Sequence, residues 1–247
     1  MENFVHPEAK IGERTEVGRF SVIGEKAEVG KGCVIGNNVT IHPHTRIGDY
    51  VRIDDNTVVG KQPMKAVASA TTKIEKLPPA KIGDNCIIGT SVVIYAGAAI
   101  GEKVLVADLA TIRENVSIGD FTIIGRGVAV ENYCKVGSRC KLETNVYICA
   151  YSEIEDFCFI APCIATSNDN YMARTKERFK HFKGVTVKKG GRIGVHATIL
   201  PGKVIGDDSL VAAGSVVTRD TPSKKICMGL PARVWKDVPE EQLLENQ

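Results

Sequence analysis

A chain of 247 residues with 43% hydrophobic and 25% charged side chains is long enough to bury a core and too apolar to be disordered throughout. Its formal net charge of +3 gives no clustered basic face of the kind that nucleic-acid binding needs, and no run of about 18 apolar residues offers a membrane span. Aromatic residues make up only 6% of the chain while glycine occurs 24 times, an odd balance for a core of this size, since such cores lean on large rings.

The first residues, MENFVHPEAK, lack a cationic stretch followed by an apolar one. A cytoplasmic protein with reduced thiols is therefore expected, without disulfides among its eight cysteines. From Ile11 onward an aliphatic residue returns every six positions. The series runs to Val59, resumes from Ile82 to Ile160, and appears a third time from Val187 to Val217. It contains 29 hexads, and in 15 of them glycine follows the aliphatic residue.

No helix has a period of six, and a plain strand alternates with period two. Short strands separated by glycine turns give an all-β parallel β-helix of hexapeptide repeats. Three hexads make one triangular coil, and about ten coils stacked at ~4.8 Å give a prism ~45 Å long. Two positions before each aliphatic residue stands a smaller one on the same strand face, as at Ala27, Val39 and Val92. Five cysteines, Cys33, Cys86, Cys134, Cys140 and Cys158, share that slot and read as small hydrophobes. Cys149 in a corner and Cys163 beside a loop are also expected to pack. The hexad glycines should relieve crowding at the corners, some of them at positive φ.

Two excursions, 61–80 and 166–186, break the repeat, and long departures from a regular scaffold carry function. The second is basic and aromatic, with Arg174, Arg178, Phe179, His181 and Phe182, and reads as a substrate-side loop. The expected division is a β-helix domain over 1–236 and a short helix or tail over 237–247 that covers the open end. Residues one coil apart stack, so Tyr95, Arg113, Glu131 and Cys149 form one corner ladder, with Arg113 and Glu131 within ion-pair reach. Glu143 stands alone among Ala107, Gly125 and Ala161 and reads as facing an acceptor. His42 and His44 lie in an early coil.

Residues 187–236 carry three marks: IG…ATILPG at 193–202, AAGSVVTRD at 212–220 and GLPARV at 229–234. They resemble the closing segment of the hexapeptide-repeat acyltransferases. The resemblance implies a left-handed parallel β-helix and a homotrimer with its active site between neighbouring prisms. It also implies acetyl-CoA as co-substrate and no metal. Gly194, His196, Ala212, Ala213 and Gly214 would then line the pantetheine arm, and Lys224, Lys225 and Arg233 would meet the nucleotide phosphates.

Residues 142–170 resemble a narrower group, the N-acetyltransferases of nucleotide-diphosphate-linked amino sugars. Their Thr-Asn-Asp element appears here as Ser167, Asn168 and Asp169. That likeness assigns Asn168 and Asp169 to the acceptor; with Glu143, singled out by its ladder, they are the expected catalytic residues, and Glu131, Asn145 and Arg174 are the expected substrate contacts. An Asx turn is the competing reading of Asn168 and Asp169. Acyltransferases of the lipid A type carry a catalytic histidine where Ala150 stands here, and its loss favours an amine acceptor over a hydroxyl, which needs a stronger base. Three alternatives remain open. One is an O-acyltransferase using Glu143 or His196, another a zinc enzyme, for which the five histidines are badly spaced, and the third a non-catalytic β-helix scaffold.

Overall fold

A computed structural model describes residues 3–72 and 75–247. Nearly every hexad folds as a two-residue strand followed by a turn. Val22–Ile23, Glu28–Val29 and Val34–Ile35 are consecutive strands on three successive faces, here called I, II and III. Thr40–Ile41 then pairs in parallel with Val22–Ile23, one coil of 18 residues later. Faces I, II and III hold 11, 10 and 12 strands. The result is a left-handed parallel β-helix. It is slightly longer than the hexad count implied, because Phe4–Val5 and Ala165–Thr166 also occupy strand positions.

The aliphatic ladder fills the axis. Ile23, Ile41, Ile94, Ile112 and Ile160 are all fully buried, and burying each such side chain stabilises the fold by about 1.5–3 kcal/mol. The smaller inward slot is equally closed, with Ala27, Cys33, Val92 and Cys134 at 0% exposure. All eight cysteines are free thiols, and of these Cys163 alone is more than marginally accessible. The rings are turned outward instead: Phe20, Tyr50, Phe121 and Phe157 are exposed at corners. A prism this narrow has no interior volume for them.

The hexad glycines relieve crowding at the corners as expected, and Gly60 among them takes a φ of 87°. A Cβ on Gly12 would stand 2.5 Å from the Gly30 carbonyl carbon, and one on Gly119 would stand 2.5 Å from the Ser138 nitrogen. They are needed because stacked corners touch backbone to backbone. Otherwise positive φ falls two residues further on, mostly on residues with side chains, such as Arg14 at 58° and Asn38 at 54°. Between the two, an aspartate often ties coil to coil: Asp120 accepts from the Glu102 amide at 2.8 Å and Asp156 from the Ser138 amide at 2.7 Å.

The last turns depart from the expected helical tail. Lys225–Gly229 and Ala232–Asp237 form an antiparallel hairpin that extends face III. Only single 3-10 turns follow, at Glu240–Gln242 and Leu244–Asn246. Val238 and Leu243 pack on Ile226 and close that end. Strands reaching Lys61 and Thr186 trim the excursions to 62–80 and 167–185. Among the described residues no helix is long and apolar enough to cross a membrane.

Candidate functional site

Both excursions leave from the edge between faces I and II. On the opposite II/III edge the first turn residue is glycine at 12, 30, 48, 83, 101, 119 and 137. On the I/II edge the same position holds Tyr95, Arg113, Glu131, Cys149 and Ser167. From Tyr95 to Ser167 the I/II edge thus presents side chains where the II/III edge keeps glycine as far as Gly137.

Arg113 is the hub. Its Nε donates to Glu114 Oε2 at 2.8 Å and its Nη2 to Glu114 Oε1 at 3.1 Å. Its Nη1 reaches Glu131 Oε2 at 3.4 Å, one coil on, as the ladder predicts. The guanidinium lies 4.9 Å from the Tyr95 ring centroid. Glu114 is 2% exposed, so a buried carboxylate depends on this bidentate pairing.

Burial pushes the Glu131 carboxyl up, Arg113 pulls it down and the Glu114 charge pushes it up again; the net position lies above the ordinary carboxylate value. Burial, with Glu131 second, pushes the nearby Tyr147 phenol up to about 12.

The first excursion straps this cluster. The Thr71 carbonyl accepts from Asn132 Nδ2 at 3.0 Å, Thr72 Oγ1 accepts from Arg113 Nη2 at 3.3 Å, and Glu75 Oε1 accepts from the Tyr133 hydroxyl at 3.4 Å. Asn132 is fully buried, yet its Oδ1 has no hydrogen-bond partner. Tyr133 stacks on Tyr151 with ring centroids 5.5 Å apart.

Two coils past Glu131 the second excursion begins. Asn168 Nδ2 points at the Ala150 carbonyl, 3.5 Å away. Asp169 accepts from the Tyr171 amide at 2.8 Å, the Ala173 amide at 3.0 Å and Arg178 Nη1 at 3.2 Å. Burial disfavours its charged form, but the amides of Ala173 and Tyr171 and then Arg178 outweigh that and hold the carboxyl below its ordinary value. Asp169 thus makes the Asx turn that organises the loop, with Arg174 exposed on its surface.

The remaining candidates lie elsewhere. Glu143, Asn145, Gly194, His196, Ala212, Ala213 and Gly214 share the III/I edge. Glu143 is half-buried, Asn145 and His196 take φ of 59° and 56°, and a Cβ on Gly214 would meet nothing within 4 Å. Lys224 stands on the II/III edge, paired with Glu245 at 2.9 Å. Lys225 pairs with Asp237 across the hairpin, which also carries the exposed Arg233.

One prism therefore brings Glu131, Asn168, Asp169 and Arg174 to one edge and keeps Glu143 and Asn145 on another. Sequence reasoning missed Glu114, Asn132 and Tyr147. The missing Gly-Asp pattern at 113–114 and 131–132 was a usable signal for the first two. Nothing in sequence announces the contact of Thr72, which comes from 41 residues away.

The profile described as bacterial transferase hexapeptide (six repeats) matches residues 8–43 and 79–114, and that of the hexapeptide repeat of succinyl-transferase matches 185–219. Its early and closing coils thus carry repeats of the transferase hexapeptide type. It is 47% identical over 53 residues to a dTDP-3-amino-3,6-dideoxy-alpha-D-galactopyranose 3-N-acetyltransferase of Aneurinibacillus thermoaerophilus, covering 22% of this chain and 28% of that protein. It is 41% identical over 54 residues to the galactoside O-acetyltransferase of Escherichia coli K12, covering 22% and 27%. The matched stretch thus spans little more than a quarter of these curated relatives. The Arabidopsis UDP-N-acetylglucosamine acyltransferase superposes over 99% of this chain and 75% of its own, with a TM-score of 0.65 and 20% identity, and so shares the fold.

Proposed function

We propose that the protein transfers an acetyl group from acetyl-CoA to the amine of a nucleotide-diphosphate-linked amino sugar. The observation that carries this reading is Glu131, a partly desolvated carboxylate whose proton affinity is raised and whose position Arg113 fixes. Such a group accepts the proton that the amine nitrogen sheds as it bonds to the thioester carbon, which is all an amine requires. A sugar hydroxyl needs a stronger base, and among the described residues no histidine is bonded into the Arg113 cluster: His42 and His44 lie coils earlier, His181 stacks on Tyr171 in the second excursion and His196 lies on the III/I edge.

In the proposed step the amine nitrogen attacks the thioester carbonyl. Backbone N–H groups stabilise the tetrahedral oxyanion. The C–S bond then breaks and the CoA thiolate takes a proton. Glu131 receives the proton from nitrogen, Asn168 orients the amine, and Asp169 shapes the loop that presents Asn168. Acetyl-CoA lies along the III/I edge, its arm against Gly194, His196 and Ala212–Gly214, with Lys225 and Arg233 nearest its phosphates.

Since acceptor and cofactor residues occupy different edges, the working unit is a homotrimer. The III/I edge of one copy faces the I/II edge of the next and brings Glu143 and Asn145 to the acceptor. The setting is cytoplasmic and no metal takes part. The likeness to a galactoside O-acetyltransferase favours a second reading, acetylation of a sugar hydroxyl. Thiol release from acetyl-CoA, measured with nucleotide-linked amino sugars and with galactosides, separates the two. The amine acceptors should turn over faster, and preference for the hydroxyl, or turnover on neither, refutes the proposal.

A further inference from the structure

Four coils before Glu131 on the same edge, the first excursion overhangs a cleft of about 1000 Å³. Its floor is the turn His42-Pro43-His44, and its roof is Lys76, Leu77 and Pro79. The roof is firmly seated: Leu77 is 7% exposed and its amide bonds Gln62 Oε1 at 3.4 Å.

Two kinds of lining face each other. His42, Pro43, Leu77 and Pro79 form an apolar slot. Burial, helped by the charge of Lys61, lowers the His42 pKa, so its ring serves as a neutral wall. The rest is ionic and unevenly matched. Glu8 and Glu25 are both paired with Lys26, at 3.3 and 3.1 Å, and Glu28 is held by Lys10 and Arg46 at 3.6 and 3.5 Å. Among the described residues, no carboxylate lies within ion-pair distance of Lys76 or His44. The acids are thus neutralised while a lysine and an imidazole remain to receive an anion. A flat apolar slot beside an unspent lysine and an imidazole suits a ring that carries phosphate.

We infer that this cleft binds a nucleoside diphosphate, with the base between His42, Pro43 and Leu77 and the phosphates at Lys76 and His44. This rests on the acceptor reading above and gives its nucleotide a place. His42 and Glu131 are four coils apart, ~19 Å at strand spacing, which is of the order of an extended nucleotide-linked sugar laid along the edge. The excursion spans the same gap, with Leu77 over the cleft and Thr71 and Thr72 on the Arg113 cluster. A nucleotide packed against Leu77 therefore also steadies the strap over the reacting end.

The test is equilibrium binding by calorimetry to the full-length protein, without acetyl-CoA. The probes are thymidine diphosphate, uridine diphosphate and inorganic pyrophosphate. The variants are Lys76→Glu, His44→Asn, which keeps the positive φ of 62°, and Lys141→Glu on face III as a charge control. A nucleoside diphosphate should bind more tightly than pyrophosphate. Lys76→Glu should weaken it roughly tenfold or more, the loss expected for one charge-assisted contact. His44→Asn should weaken it less, and Lys141→Glu should leave it unchanged, with melting temperatures equal throughout.

Absence of nucleotide binding, equal affinity for pyrophosphate, or indifference to both cleft variants overturns the inference, as does loss of binding in Arg174→Ala instead. Binding needs no turnover. Nucleotide affinity that depends on Lys76, in a protein inactive towards every amino sugar, would sink the acceptor reading and leave the cleft standing. Turnover on nucleotide-linked amino sugars with affinity indifferent to Lys76 would do the reverse.

Discussion

The II/III and I/II edges are built from the same hexad, and they diverge at the first turn residue. Where glycine stands, stacked corners meet backbone to backbone and the following aspartate ties one coil to the next. Where Tyr95, Arg113, Glu131 and Cys149 stand, that stitching is lost. Side chains and two excursions cover the gap instead. The lesson is a division of labour: the regular edges supply stability and register, and the broken edge holds a desolvated carboxylate pair around one arginine. A repeat scaffold gains a polar cluster where its repeat fails.

That comparison can be broken at several points. The largest stability effect is expected at Glu114, since removing it leaves Arg113 only its longer contact with Glu131. Glu114→Ala should destabilise the protein by about 3 kcal/mol by the usual magnitude for buried pairs and release the strap, read by denaturant unfolding and by faster amide exchange over 69–72.

Gly119→Ala probes the regular edge. Its Cβ would press on backbone that cannot swing away, so a loss of about 1–3 kcal/mol is expected, as for overpacking, with catalysis per folded molecule unchanged. A neutral result there would show that corner glycines are not required for close approach.

The second excursion should respond to acid. The folded-state pKa of Asp169 is lowered, so its contribution is present above the ordinary value of 3.8 and is lost as pH falls through the folded value. Amide exchange at Tyr171 and Ala173 should accelerate over that acid range, and Asp169→Asn should show the same loosening already at neutral pH. The smallest effect is chemical. Burial holds Cys86 and Cys134 up to about 11 and about 12, and only thiolate reacts. Alkylation of the native protein should therefore mark Cys163 first, and mass spectrometry that found Cys134 labelled before unfolding would contradict the packed interior.

The period of six made the fold legible down to the inward slot of Cys33, Cys86, Cys134, Cys140 and Cys158, because every coil repeats one packing decision. It also placed Arg113 over Glu131 by counting. What the period could not carry was which edge each residue joins once the chain leaves the prism, or which turn position takes positive φ. Glu143 and Asn168 look adjacent in a family pattern, yet strands of faces III and I place them on separate edges. Thr71, Thr72 and Leu77 find their partners through an excursion with no periodicity, so their contacts follow from tertiary packing alone. The hairpin at 225–237 escaped for a similar reason: it abandons the hexad and reverses strand direction.

If Glu131 on the I/II edge takes the proton from the amine, as proposed, it governs the pH dependence of kcat/KM for acetyl transfer to a nucleotide-linked amino sugar. For the native protein the acid limb contributed by Glu131 should lie above pH 4.5, the ordinary carboxylate value that burial raises. In Glu131→Gln that limb should vanish and the rate should fall by about 100-fold or more, the usual contribution of a positioned base, with stability little changed. A Glu131→Gln protein that keeps the native rate and the native acid limb would rule out Glu131 as the base.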